Sequence, residues 1–217
     1  MSDHFTPRIK VCGLRDPENI AEIIDLKPDY IGLIFYPKSA RFIGGKLPVH
    51  VAREIDLSKK VGVFVDGEYD EIIDAIDQFE LDVIQLHGQE SPEFAANVRN
   101  YGIDVIKAFS VGEEFDFSQL EPYKKHVDFF LFDTKGDNPG GNGMTFDWSI
   151  LEAYDGAVPF FLSGGISPEH AETLKTLELP GLYGLDLNSK FESKPGMKDW
   201  DLLEEFIDVI RPEDYWD

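Results

Sequence analysis

The feature that most constrains this chain is a rhythm. A short apolar run rich in Val, Ile and Phe is followed by turn residues and then by an amphipathic stretch, and the unit recurs every few tens of residues. Short apolar runs bounded by turn formers read as strands, and stretches with apolar residues three or four apart read as helices with one face to bury. A helix between two strands returns the chain to the same end of the sheet, so the strands run parallel. The strand candidates are Ile9–Cys12, Tyr30–Phe35, Val61–Val65, Val83–Leu86, Val105–Phe109, Phe129–Asp133, Phe160–Ser163 and Tyr183–Leu187. Most are apolar on both faces, as strands covered by helices outside and side chains inside must be. Helix signals lie between them: Asp16 before Pro17, Glu68 to Phe79, Ser91-Pro92-Glu93 opening a run to Asn100, Ser167-Pro168-Glu169 opening a run to Leu177, and Asp199 to Ile210. The stretch after the second strand is weaker, and Pro122 interrupts the one after the fifth. Eight strands with seven or eight helices favour an α/β fold of one kind, a single (β/α)8 TIM barrel spanning residues 1–217, over a doubly wound sheet.

Composition narrows the function classes. The chain has 42 Asp and Glu against 20 Lys and Arg, a net charge of −22, which argues against nucleic-acid or anionic-membrane partners. The acidic residues are spread over helix-like stretches such as Glu68 to Asp77 and Asp199 to Asp208, where they read as solvated outer faces. Such like charge favours a monomer, with a dimer left open. No stretch approaches the ~20 apolar residues of a membrane helix, and no long apolar run follows the N-terminus, so a cytoplasmic protein is expected. One Cys excludes an internal disulfide, and the five His residues lack zinc-site spacing. Chemistry without metal or cofactor is expected.

In a barrel of this kind the active site lies at the C-terminal ends of the strands. The polar residues there are Cys12, Asp66, His87, Asp133, Ser163-Gly164-Gly165, and Asp186 with Asn188-Ser189. Alternation puts Lys10 with Cys12, Gln85 with His87, and Leu131 with Asp133 on common faces. A thiol needs a lowered pKa to act as a base, and Lys10 is placed to lower it; a small buried core residue is the competing reading of Cys12. Asp133 emerges from Phe129-Phe130-Leu131-Phe132, where desolvation raises a carboxyl and suits it to donate a proton; the alternative is an Asp capping the next turn. Gly164-Gly165 before a helix lets backbone N–H groups approach an anion, or is simply a tight turn. The loop carrying Lys38 and Arg41 is the only basic cluster beside a strand end, either a grip for an anionic substrate or an ordinary surface loop.

Taken together, several segments resemble the phosphoribosylanthranilate isomerase family of tryptophan biosynthesis. They are Lys10-Val11-Cys12-Gly13-Leu14, the run from Gly32 to Arg41, Val61 to Val65, Ile84-Gln85-Leu86-His87-Gly88, the run from Gly140 to Trp148, Ser163-Gly164-Gly165 and Pro195-Gly196-Met197-Lys198-Asp199. They stand in family order over nearly the whole chain. The resemblance implies a cofactor-free Amadori rearrangement of a phosphosugar–anthranilate substrate. Asp133 is then the acid that opens the ring, Cys12 the base at C2′, and Arg41 the holder of the anthranilate carboxylate. Gly164, Gly165 and Ser189 are then the phosphate donors, and His87 and Asp186 pocket residues without assigned roles. The chain departs from the family at Leu187-Asn188-Ser189-Lys190, where two serines and a glycine are usual. The histidine-pathway isomerase performs the same type of rearrangement but resembles a two-aspartate solution, which Cys12 argues against; a barrel that only binds phosphorylated ligand is the other rival.

Overall fold

The computed structural model describes residues 6–134 and 148–211. Eight parallel strands close into a barrel in sequence order: β1 (Arg8–Cys12), β2 (Tyr30–Ile34), β3 (Lys59–Phe64), β4 (Val83–Leu86), β5 (Asp104–Val111), β6 (Phe129–Thr134), β7 (Phe160–Ser163) and β8 (Leu182–Leu187). The ring closes where β8 pairs with β1, Lys10 opposite Asp186. Each strand expected from the sequence is present, with ends shifted by a residue or two.

The helices are α1 (Pro17–Ile24), α2 (Val49–Arg53), α3 (Tyr69–Phe79), α4 (Pro92–Arg99), α5 (Ala171–Lys175) and α6 (Trp200–Ile210). Asp16 caps α1 by accepting from the Glu18 and Asn19 amides, and Ser91 and Asp199 cap α4 and α6 in the same way. Two connections differ from the sequence expectation. After β5 the chain forms a 3₁₀ helix, Phe117–Tyr123, because Pro122 has no N–H to continue an α-helical ladder. After β7 the Ser167-Pro168-Glu169 signal opens a 3₁₀ turn, Pro168–His170, and α5 ends at Lys175 rather than running to Leu177. A small antiparallel pair, β9 (Glu192–Lys194) and β10 (Met197–Lys198), precedes α6, and no alternation in the sequence announces it. Of the family-like segments, the run from Gly140 to Asp147 lies outside the described residues.

Side chains alternate between two cores. Outward positions such as Ile9, Val11, Leu33, Phe130, Phe132, Phe160 and Leu185 pack against the helices. Inward positions fill the barrel: Tyr30, Val61, Val83, Ile106, Leu131 and Phe161, with Phe129 and Tyr183 beside them. At the N-terminal end Tyr30 meets Phe161 edge-on with centroids 5.2 Å apart, and Phe129 lies 4.7 Å from Tyr183. That end is stoppered by rings, so the opening is at the other end.

Candidate active site

The C-terminal mouth holds a cavity of about 330 Å³. Cys12, Arg41, His87, Asp133, Gly164, Gly165, Asp186 and Ser189 all line it. Asp66 does not join them; its carboxylate accepts from the Gln89 amide at 2.6 Å and braces the loop after β4.

Cys12 is the last residue of β1 and points into the barrel, nearly buried. Space for the thiol comes from Gly32 on the neighbouring strand: a Cβ there would sit 2.6 Å from Sγ. Lys10 shares this inward face, as alternation requires, but it does not serve the thiol alone. Its Nζ lies 2.7 Å from Asp186 Oδ1, fully buried, and Asp186 also accepts from Ser163 Oγ at 3.2 Å. The expected lowering of the thiol pKa is therefore not found. Burial pushes Cys12 above its ordinary value; Lys10 opposes this, while Asp186 adds to it. Burial, the largest single influence, pulls Lys10 down, but Asp186 and Cys12 together overcome it and leave the ammonium raised above its ordinary value.

Arg41 is not a free cation on a loop. Its Nε donates to Glu192 Oε1 at 2.8 Å and its Nη2 to Oε2 at 2.6 Å. Glu192 also receives Lys198 Nζ at 2.8 Å, and Lys198 in turn donates to the Asn188 side-chain oxygen at 2.9 Å and to its carbonyl at 3.1 Å. Burial favours a raised Glu192, but Arg41 and Lys198 overcome it and hold the carboxyl below its usual range. Burial pulls Lys198 below the ordinary lysine value, against the pull of Glu192. Gly13, with φ near +85°, lets this cluster pack close: a Cβ there would meet Arg41 Cδ at 2.6 Å and Asn188 Oδ1 at 3.0 Å.

Asp133 and His87 face each other across the cavity rim, His87 Nε2 lying 3.9 Å from Asp133 Oδ2. Gln85, two residues before His87 on the same inward face, holds the other ring nitrogen at 2.7 Å. The expectation that Asp133 emerges into apolar surroundings is corrected here. Its side chain is 30% exposed, and the rings of Phe130 and Phe132 point outward into the helix layer. β1 and β6 are separated in the ring by β7 and β8, so a thiol and a carboxyl address one ligand from different sides.

Gly164 and Gly165 take φ of +92° and +68°, conformations that favour glycine, and bring the backbone to the cavity wall. They lead into the short 3₁₀ turn rather than a long α-helix, so the N–H groups this turn can offer to a ligand are local amides without a long helix behind them. Ser189 opens a further 3₁₀ turn, Ser189–Phe191, and Asn188 before it also lines the cavity. Glu192 and Lys198 escape sequence reading because both lie far along the chain from Arg41 and carry charge that normally marks a surface. Only their burial reveals them. Among the described residues no group of three or more His, Cys, Asp or Glu side chains is arranged to hold a metal.

The chain as a whole is similar to known proteins. The family model for N-(5'phosphoribosyl)anthranilate (PRA) isomerase matches residues 9–209. The N-(5'-phosphoribosyl)anthranilate isomerase of Parabacteroides distasonis is 46% identical over 204 residues, covering 93% of this chain and 92% of the relative. A solved phosphoribosyl anthranilate isomerase from Thermotoga maritima superposes with a TM-score of 0.81 at 33% identity, covering 94% of this chain and 98% of the other. A second solved isomerase, in complex with reduced 1-(o-carboxyphenylamino)-1-deoxyribulose 5-phosphate, gives a TM-score of 0.79 at 30% identity, covering 94% and 98%. With a family model that spans nearly the whole barrel, the chain belongs to the N-(5'-phosphoribosyl)anthranilate isomerase family.

Proposed function

We propose that this chain converts N-(5'-phosphoribosyl)anthranilate to 1-(2-carboxyphenylamino)-1-deoxyribulose 5-phosphate, an Amadori rearrangement in tryptophan biosynthesis. The observation that carries the reading is the convergence of Cys12, Asp133 and Arg41 on one cavity of the barrel mouth, on a chain of this family. Asp133 protonates the furanose ring oxygen, and the ring opens to a protonated Schiff base. Cys12, as thiolate, removes the C2′ proton; the electron pair moves toward the iminium nitrogen, and the enolamine tautomerises to the ketone. Arg41 holds the anthranilate carboxylate, while the turns at Gly164-Gly165 and Ser189 hold the phosphate with N–H and O–H donors. Asp186 neutralises Lys10 and aligns Ser163, a supporting part for a residue to which the sequence alone assigns no role. His87 faces Asp133 and takes its ring orientation from Gln85. No helix among the described residues is long and apolar enough to cross a membrane. A single-domain, cytoplasmic monomer completes the proposal, supported by the charge of −22.

The test is a fluorescence assay on N-(5'-phosphoribosyl)anthranilate. Loss of anthranilate-type emission on adding the purified chain, with the ketose product identified by mass and reduction chemistry, is the expected result. Absence of turnover by folded protein that still binds the reduced product analogue points instead to a binding barrel.

A further inference from the structure

The Arg41–Glu192 pair presents a problem of charge. A guanidinium already engaged by a carboxylate is part of a neutral unit, and a neutral unit attracts a second carboxylate weakly. The nearby Lys10–Asp186 pair is also neutral and adds nothing. The protein as a whole, at −22, repels anions. Yet the cluster does hold an excess cation. One Arg and one Lys face one Glu, and the extra charge sits on Lys198, whose side chain is 0% exposed.

Geometry divides the labour. Glu192 takes the Nε and Nη2 edge of Arg41, which leaves the end-on fork of Nη1 and the second Nη2 hydrogen for a ligand. Arg41 lines the cavity with its side chain 21% exposed, whereas Lys198 is sealed behind Glu192 and Asn188. Lys198 thus cannot touch a ligand. It can only change the charge that Arg41 presents.

We propose that Lys198 is a specificity-determining residue: it draws on the Glu192 carboxylate from behind, so that Arg41, held in plane by the same carboxylate, still presents net positive charge to the aryl carboxylate of the substrate. The inference rests on the reading of Arg41 as the carboxylate receptor. It also explains why a buried Lys is joined to a Glu already satisfied by an Arg. With Lys198 present the unit carries one net positive charge; without it, none.

The experiment compares two probes on the full chain: reduced 1-(o-carboxyphenylamino)-1-deoxyribulose 5-phosphate and its phenylamino counterpart lacking the carboxylate. The quantity read is the ratio of their dissociation constants. Lys198→Gln is expected to cut the preference for the carboxylate probe about tenfold, the scale of one charge-assisted contact, while the des-carboxy probe binds as before. The double variant Lys198→Gln with Glu192→Gln removes both buried charges, returns the unit to one net positive charge on Arg41, and should recover most of the preference. Equal weakening of both probes by Lys198→Gln, or a double variant with less preference than the single one, overturns the inference. Should Lys198→Gln not fold, the double variant decides alone: near-native preference supports the charge argument and lost preference refutes it. Arg41→Ala separates this from the underlying reading. If that variant keeps the native preference, Arg41 is not the carboxylate receptor and both fall.

Discussion

The two ends of the barrel interior are built on the same inward positions and do opposite things. At the N-terminal end Tyr30, Phe129, Phe161 and Tyr183 pack ring on ring. One inward step along β2 and β7, and two along β6, these become Gly32, Ser163 and Asp133. The stopper buries apolar area at ~1.5–3 kcal/mol per large side chain, and the mouth holds ion pairs and a thiol that return little stability for their desolvation. The division teaches that stability and chemistry in this chain are separable by a few residues along a strand.

The sharpest way to break that division is at the mouth. Cys12→Ala and Asp133→Asn are each expected to reduce kcat by about 10²–10⁴-fold, the usual contribution of general acid–base catalysis, while the unfolding midpoint stays close to the parent's. Steady-state kinetics with denaturant unfolding of the same samples checks both halves. Near-parental turnover in either variant removes that residue from the mechanism.

At the stopper the reverse is expected. Phe161→Ala should cost about 3–5 kcal/mol of stability, because the ring is fully buried among Tyr30, Phe129 and Tyr183. Turnover per folded molecule should not change. A large fall in kcat with little loss of stability would show that the ends are coupled.

A smaller effect is expected at Arg41, to which the proposed function gives recognition rather than proton transfer. Arg41→Ala should raise KM more than it lowers kcat, as for a contact equally strong in ground and transition states. An unchanged KM would assign the carboxylate elsewhere.

The mildest test is pH. Cys12 is held above its ordinary thiol value by burial, so at neutrality it is mostly protonated and the working state, thiolate with a protonated acid, is a minor one. Raising the pH from neutrality depletes that state once Cys12 has lost its proton. The alkaline limb of kcat/KM should therefore lie where Cys12 loses its proton, above the usual thiol range. Because the chain has one Cys, the pH dependence of its alkylation reports that titration directly, and the midpoint of its rise should match the midpoint of the fall in kcat/KM. A break below the ordinary thiol value would contradict the burial seen here.

The strands, their order along the chain and the mouth residues are legible in the sequence because period, turn chemistry and strand-end position are local. Asp16 before Pro17 and the glycines after β7 declare themselves in a few letters. The electrostatics are not legible. Lys10 reads as a partner for Cys12, yet it is neutralised by Asp186, 176 residues away in sequence. Arg41 reads as free, yet Glu192, 151 residues on, engages it. The apolar letters before Asp133 suggest desolvation, but alternation sends Phe130 and Phe132 into the outer layer. Pairings across the barrel depend on closure, which no local pattern encodes.

That closure has a kinetic consequence. β1 and β8 meet in a seam only after the chain has been laid down through β8, and Asp29, just before β2, ties the start of β1 to the segment after α6 by accepting from the Ile9 amide at 2.7 Å and from Arg8 at 2.8 Å while pairing with Arg211. Contacts of such sequence separation form slowly, because loop-closure entropy is lost before they are gained. Cys12 lies on one lip of this seam and Asp186 on the other. During refolding, helix content is thus expected to return before turnover does, and a nascent chain ending before β8 carries its thiol in an unfinished cleft.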